Sequence, residues 1–194
     1  MIAYITGAPA TGKSTLCERL ALLPKVHHFS YSARLREHVS RRVGRALTEV
    51  DVRESSAQLV TPDDVKAVDA ALDAEIEDAR RTGRHLLVDS HPVTKEQFGF
   101  RLTPFSADEL AKLALDRLVC LYAAPDVLAM RIKNNPQGRP LPTDFELLTH
   151  VQLQAAVLAQ YAVLSGRHCY LVDSDISREE LEHQVARLLK LITD

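Results

Sequence analysis

The sequence predicts a three-layer α/β/α sandwich around a five-stranded parallel sheet, and three observations lead there. Short apolar runs alternate with segments of helical period along all 194 residues. Two of these runs, HLLVD at 85–89 and LVCLY at 118–122, are apolar throughout, as parallel strands covered on both faces are. The helical segments between them open on capping residues and close on glycines, so each strand is followed by a separate helix. A series of this kind builds a parallel sheet with crossover helices.

In chain order, Ile2 to Thr6 reads as the first strand, stopped by a glycine-rich turn, and Lys13 to Leu23 as a helix with Leu16, Leu20 and Leu23 on one face. Val26 to Phe29 is the second strand, and Tyr31 to Val43 the next helix, carrying Leu35, Val39 and Val43. Thr61 can cap a helix that has Pro62 in its first turn and Asp63 and Asp64 at the positive end of its dipole; Gly83 stops it after Arg81. His85 to Asp89 is the third strand, and Ser106 with Glu109 forms a capping box before a short helix. Leu118 to Tyr122 is the fourth strand. A second capping box, Thr143 with Glu146, opens a long helix with a stripe of Leu148, Val151, Ala155, Leu158 and Ala162, ending at Gly166. Cys169 to Val172 is the fifth strand, and Ser177 with Glu180 caps a closing helix bearing Leu181, Val185, Leu188 and Leu191. The segment 134–143, NNPQGRPLPT, interrupts the pattern with three prolines and reads as a flap. The whole of 1–194 is expected to form one domain.

A 46% hydrophobic and 26% charged composition supplies one good core. With a net charge of -2, the chain lacks the basic excess of a dedicated nucleic-acid binder, so strong nucleic-acid binding is not expected. No unbroken apolar run reaches the roughly 20 residues of a membrane span, and the amino-terminal stretch lacks the basic start of a signal peptide. A cytoplasmic protein without membrane contact is therefore the expectation. Cys17, Cys120 and Cys169 are odd in number and far apart, which fits reduced core thiols rather than a disulfide framework.

Gly7-Ala8-Pro9-Ala10-Thr11-Gly12-Lys13-Ser14 matches G-x-x-x-x-G-K-[ST] and falls between an apolar strand and a helix, the context that the P-loop requires. Glycines let backbone N–H groups approach phosphates, and the helix N-terminus adds positive potential. Lys13 is expected at the β- and γ-phosphates of ATP and Ser14 on magnesium. Asp89, ending its strand, occupies the place of a Walker B carboxylate that orients magnesium; a strand-terminal Asp can also simply cap the next turn. His91, two residues on, is near enough in sequence to reach a phosphate or a water. Arginines read phosphate with a planar, permanently charged fork. Arg34, Arg36, Arg41, Arg42, Arg45 and Arg53 crowd one segment, while Arg131 and Arg139 bracket the flap, a distribution that suits two phosphate-bearing substrates. Phe98 and Phe100 flank Gly99 and can either stack on a base or pack beneath their loop.

With these residues in place, the chain resembles the adenylate kinases, most closely the archaeal-type enzymes and their eukaryotic nuclear relatives. Asp89-Ser90-His91 is similar to the D-x-H of that branch, TKEQFGFRLTP at 94–104 to the loop that follows it, and FSYSARLR at 29–36 to the pattern that carries a monophosphate-binding arginine, here Arg36. QYAVLSGRHCYLV resembles the passage into the last strand, and Arg131 and Arg139 look like lid arginines. Tyr31 and Ala33 depart from the family pattern, as does the missing second glycine of the FGFRLTP loop. The resemblance implies a monophosphate-binding region at about 30–82, a short lid at about 134–143, magnesium-ATP as donor, and room for a homo-oligomer.

The expected activity is transfer of the γ-phosphoryl of Mg-ATP to AMP or a similar small-molecule nucleotide. Lys13, Asp89, His91, Arg131 and Arg139 are the candidate catalytic residues. Residues Gly7, Ala8, Pro9, Ala10, Thr11, Gly12, Lys13, Ser14 and Thr15 cradle ATP, and Ser14 with Asp89 holds magnesium. Arg34, Arg36, Arg53 and Phe100 are the candidate acceptor residues. Two rivals stay open: a kinase for another nucleotide or a nucleoside, with Asp89 or His91 as base, and a nucleotide-switched ATPase acting on macromolecular assemblies.

Overall fold

A computed structural model describes residues 1–48, 51, 59–135 and 140–192. Arg53, Arg139 and the middle of the flap lie outside the described residues. The strands β1 (Ile2–Gly7), β2 (Val26–Ser30), β3 (His85–Asp89), β6 (Arg117–Tyr122) and β7 (Cys169–Asp173) form one sheet, β4 (Val93–Glu96) and β5 (Gly99–Leu102) a separate hairpin. The large sheet runs β2-β3-β1-β6-β7, and every pairing in it is parallel. All five predicted strands are present.

Alternation along the strands divides the core in two. Ile2, Tyr4, Leu86, Val88, Leu118 and Cys120 turn toward one face, where α3 (Pro62–Thr82), α4 (Ala107–Leu113) and α6 (Asp144–Ser165) pack. Ala3, Ile5, Leu87, Val119 and Leu121 turn to the other, under α1 (Lys13–Leu20) and α7 (Arg178–Leu188). Completing the set are α2 (Tyr31–Val43), after β2, and α5 (Pro125–Lys133), after β6. A fully buried Leu or Ile contributes about 1.5–3 kcal/mol and a side-chain cap about 1 kcal/mol. Caps therefore set where the helices begin, while the sandwich holds them.

The capping boxes at Thr61/Asp64, Ser106/Glu109 and Thr143/Glu146 are formed, and Gly83 and Gly166 close their helices in the left-handed conformation. The structure departs from the expected elements at three places. The passage 94–104, read as a loop, is mostly the β4–β5 hairpin, with Thr94 opposite Arg101; its strands are too short and polar to announce themselves. α5 has no counterpart in the reading, although Pro125 and Asp126 in its first turn and Leu128 and Ile132 four apart mark it. The buried face of α6 consists of Leu147, His150, Gln154, Val157, Leu158 and Tyr161, whereas Leu148 from the predicted stripe is exposed. Two polar residues on the inner face shift the stripe. By length and composition alone α6 could also cross a membrane, and here that inner face packs on the sheet.

One arginine of the crowded segment is engaged inside the fold. Arg42 Nε donates to Asp64 Oδ1 at 2.8 Å, beside His38 at 3.3 Å and the Thr61 hydroxyl at 2.8 Å. Burial pushes the Asp64 carboxyl up, but Arg42 and Thr61 outweigh it and bring it from 3.8 down to about 2. A carboxylate depressed in the folded state stabilises fully above its unfolded value and loses that contribution as pH falls through the folded one. Stability should thus decline between pH 3.8 and about 2. Arg42→Ala should cost about 1–2 kcal/mol at pH 7, since solvent screens a half-exposed partner, and should flatten that decline. Urea midpoints across pH check both; coincident curves for the two proteins would contradict the pairing.

Candidate active site

The nucleotide loop begins where β1 has no room for a side chain. A Cβ on Gly7 would lie 2.7 Å from Thr11 Oγ1 and 2.8 Å from the Leu121 carbonyl oxygen, which is backbone and cannot give way. Thr11 is itself buried and donates to the Ala8 carbonyl at 2.8 Å, closing the loop on itself. Ala10 and Gly12 both have positive φ, 66° and 84°, and Gly12 is the left-handed residue from which α1 starts. A Gly7→Ala protein should lose about 1–3 kcal/mol of stability, the scale of overpacking. A melting temperature equal to that of the native protein would show that the strand end has slack.

α1 has no side-chain cap and no acidic residue in its first turn. The first amides of a helix have no partner within it, so they are left to an external anion. Lys13, Ser14 and Thr15 open this helix, with Ser14 and Thr15 exposed. Cys17, Leu16 and Leu20 anchor its other face in the core.

Asp89 is 1% exposed at the end of β3, and Lys13 Nζ ion-pairs directly with its Oδ1. His28 Nε2 stands 3.5 Å from Oδ2, an electrostatic contact too long for a good hydrogen bond. Burial would raise the Asp89 carboxyl, but His28, Lys13 and the Ser14 hydroxyl together hold it well below the usual carboxylate range. It is ionised at any physiological pH. The sequence reading placed His28 in a strand and gave it no role; the signal is nonlocal, because β2 pairs with β3 so that Ser30 lies opposite Asp89.

The Ser14 hydroxyl and the Asp89 carboxylate are hard oxygen donors, and Asp89 Oδ2 is buried without a hydrogen-bond partner among the described residues. That donor set fits magnesium. Arg131 is beside the loop but engaged: it donates to the Ala10 carbonyl at 3.4 Å and to the Ser174 carbonyl at 2.7 Å, with Asp175 at 3.8 Å. The guanidinium ties the glycine loop to the turn after β7. His91 lies exposed on the loop after β3.

The expected acceptor residues divide. Arg36 is half-buried on α2, whereas Arg34 lies over the Phe29 ring at 5.6 Å and faces Glu75 at 3.6 Å. Phe100 is packed against His150 at 5.3 Å with Lys95 above it, partly buried at the edge of the core, and Phe98 at the hairpin tip is the exposed ring, 81% accessible. A turn residue and a strand residue two apart are indistinguishable until the hairpin is known.

Residues 6–146 match the family described as AAA domain. Among solved structures, a sugar kinase from Janibacter sp. HTCC2649 superposes with a TM-score of 0.55 at 15% identity, over 100% of this chain and 98% of that one. A shikimate kinase from Bacteroides thetaiotaomicron gives 0.53 at 17% identity, over 98% of each chain. These likenesses concern the P-loop kinase fold and do not single out the adenylate kinases.

Proposed function

This chain belongs to the AAA domain family, and on that premise we propose that it is an ATP-dependent phosphotransferase that moves the γ-phosphoryl of Mg-ATP onto the phosphate of AMP or a similar nucleoside monophosphate. The observation that carries the proposal is the buried Asp89, clamped by Lys13 at the mouth of a helix whose first turn has no side-chain cap. Lys13 is placed to exchange its carboxylate for phosphate oxygens, and the loop amides to hold the rest of the triphosphate. Ser14 and Asp89 would hold magnesium, which neutralises charge on the bridging phosphates. Arg131 keeps the loop in position, and Arg36 stands on the helix that the adenylate kinase resemblance assigns to the acceptor phosphate.

A phosphate acceptor is favoured because Asp89 is a poor base. A general base works best with a pKa near the operating pH, and this carboxyl is held far below it. An acceptor phosphate needs no such base. The second reading, a hydroxyl acceptor, takes support from the two kinases of similar fold, one a sugar kinase and the other a shikimate kinase, and from His91 on the loop after β3.

ADP formation from ATP, measured across nucleoside monophosphates, nucleosides, sugars and shikimate with phosphate release in parallel, separates the readings. Stimulation by one monophosphate is expected. Transfer to hydroxyl acceptors alone, or phosphate release that no acceptor changes, would overturn the proposal.

A further inference from the structure

Below the glycine loop, on the α1 face of the sheet, three donors of different chemistry meet. One ligand atom each of Cys17, His28 and Asp89 lies within 4.8 Å of the other two. Cys17 is fully buried, and the side chains of Asp89 and His28 are 1% and 13% exposed. His28 Nε2 and Asp89 Oδ2 are buried and face each other at 3.5 Å, too far for a good hydrogen bond, and neither has a closer partner among the described residues. Buried polar atoms in that condition are uncommon in native proteins, and each calls for an occupant or an explanation.

The spacing suits a tetrahedral metal ion. Two ligands bound about 2.0–2.3 Å from a tetrahedral zinc ion stand roughly 3.5 Å apart. His28 Nε2 and Asp89 Oδ2 are 3.5 Å apart already. The thiol sulfur lies within 4.8 Å of a ligand atom of each, on the same side of the sheet. Sulfur and imidazole donors select zinc and its analogues, whereas magnesium takes oxygen. A thiophilic ion drawn to these three donors would compete with magnesium for one carboxylate.

We propose that Cys17, His28 and Asp89 form a site for Zn2+ or another thiophilic divalent cation, with water as the fourth ligand, and that metal bound there stops the Mg-ATP reaction by holding Asp89. The inhibitory half rests on the proposed phosphotransfer; the binding half does not. On binding, the S–H bond of Cys17 breaks, its electron pair forms the sulfur–metal bond and the proton leaves to solvent. Thiolate and carboxylate then balance the dication while Lys13 keeps Oδ1.

The test is a titration of the reduced full-length protein with Co2+, free of nucleotide and magnesium, followed by absorption. A near-ultraviolet sulfur-to-cobalt charge-transfer band should saturate at a single equivalent, vanish when Zn2+ is added, and be absent in Cys17→Ser. His28→Gln should weaken Co2+ binding by about tenfold or more. No such band in the folded native protein overturns the site whatever the variants do, and a band that persists in folded Cys17→Ser overturns its ligand assignment. With millimolar Mg-ATP present, stoichiometric Zn2+ should cut turnover about tenfold or more in the native protein and not in Cys17→Ser. Undiminished turnover despite a cobalt band overturns the inhibition, while absence of turnover before zinc is added counts against the phosphotransfer proposal and leaves the site standing.

Discussion

Replacing Lys13 with alanine should leave a folded protein whose phosphoryl transfer is lower by about two to three orders of magnitude, the scale for removing one preorganised donor from a developing charge. The ammonium is the only Lys or Arg group paired with Asp89 among the described residues, and the carboxylate is almost wholly buried. The same substitution therefore has a second reading in stability. Leaving Asp89 with His28 and Ser14 alone should lower the unfolding free energy by about 1–3 kcal/mol. Turnover and urea unfolding of one preparation check both effects. Retention of more than about a tenth of native turnover by a folded protein would remove Lys13 from the reaction.

Asp89→Asn should be the next most damaging change, and its signature is different. The amide keeps the carboxylate's shape and loses its charge, so Lys13 faces a neutral group and the hard donor set loses its anion. Turnover should fall by about ten- to a hundredfold, with the magnesium titration moved to higher concentration, as expected when a charge-assisted contact worth about 1.5–3 kcal/mol is lost. Magnesium titrations that overlay for the two proteins would sink the Walker B assignment. Because the folded carboxyl titrates far below neutrality, any acid limb in the rate between pH 5 and 8 belongs to another group, and it should survive this substitution.

What the sequence made legible was whatever is written in consecutive residues. The glycine loop, the five strands, the Thr61 cap and the capping boxes at Ser106 and Thr143 depend on local spacing, and the structure contains them all. Cys17 reads in the chain as a core thiol and His28 as a strand histidine with no cysteine at ligand spacing, because their meeting with Asp89 is made by the pairing of β2 on β3 and the seating of α1, neither of which any local pattern encodes. The arginines show the same limit. Arg42 and Arg36 look alike in the chain, and only the fold reveals that Arg42 answers a buried Asp64. Phe98 and Phe100 read alike in the chain, and the hairpin separates them by leaving the turn residue exposed and packing the strand residue against the core.

α6 raises a question of geometry that packing alone does not answer. It is apolar around much of its circumference: Phe145, Val163 and Leu164 are exposed while Leu147, Val157 and Leu158 are buried. Apolar burial is non-directional, so several rotations of such a helix about its axis would shelter similar area. Gln154 and His150 break the degeneracy. Thr6 Oγ1 donates to Gln154 Oε1 at 3.0 Å, and Gln154 Nε2 and His150 Nε2 both lie against the Val93 carbonyl oxygen, at 3.3 and 3.1 Å. Only one azimuth satisfies all three contacts, and its anchor on β1 is the residue immediately before Gly7. The helix is thereby indexed to the glycine loop by an address rather than by an energy. A leucine at 154 would preserve helix and burial alike and leave His150 alone to set the orientation.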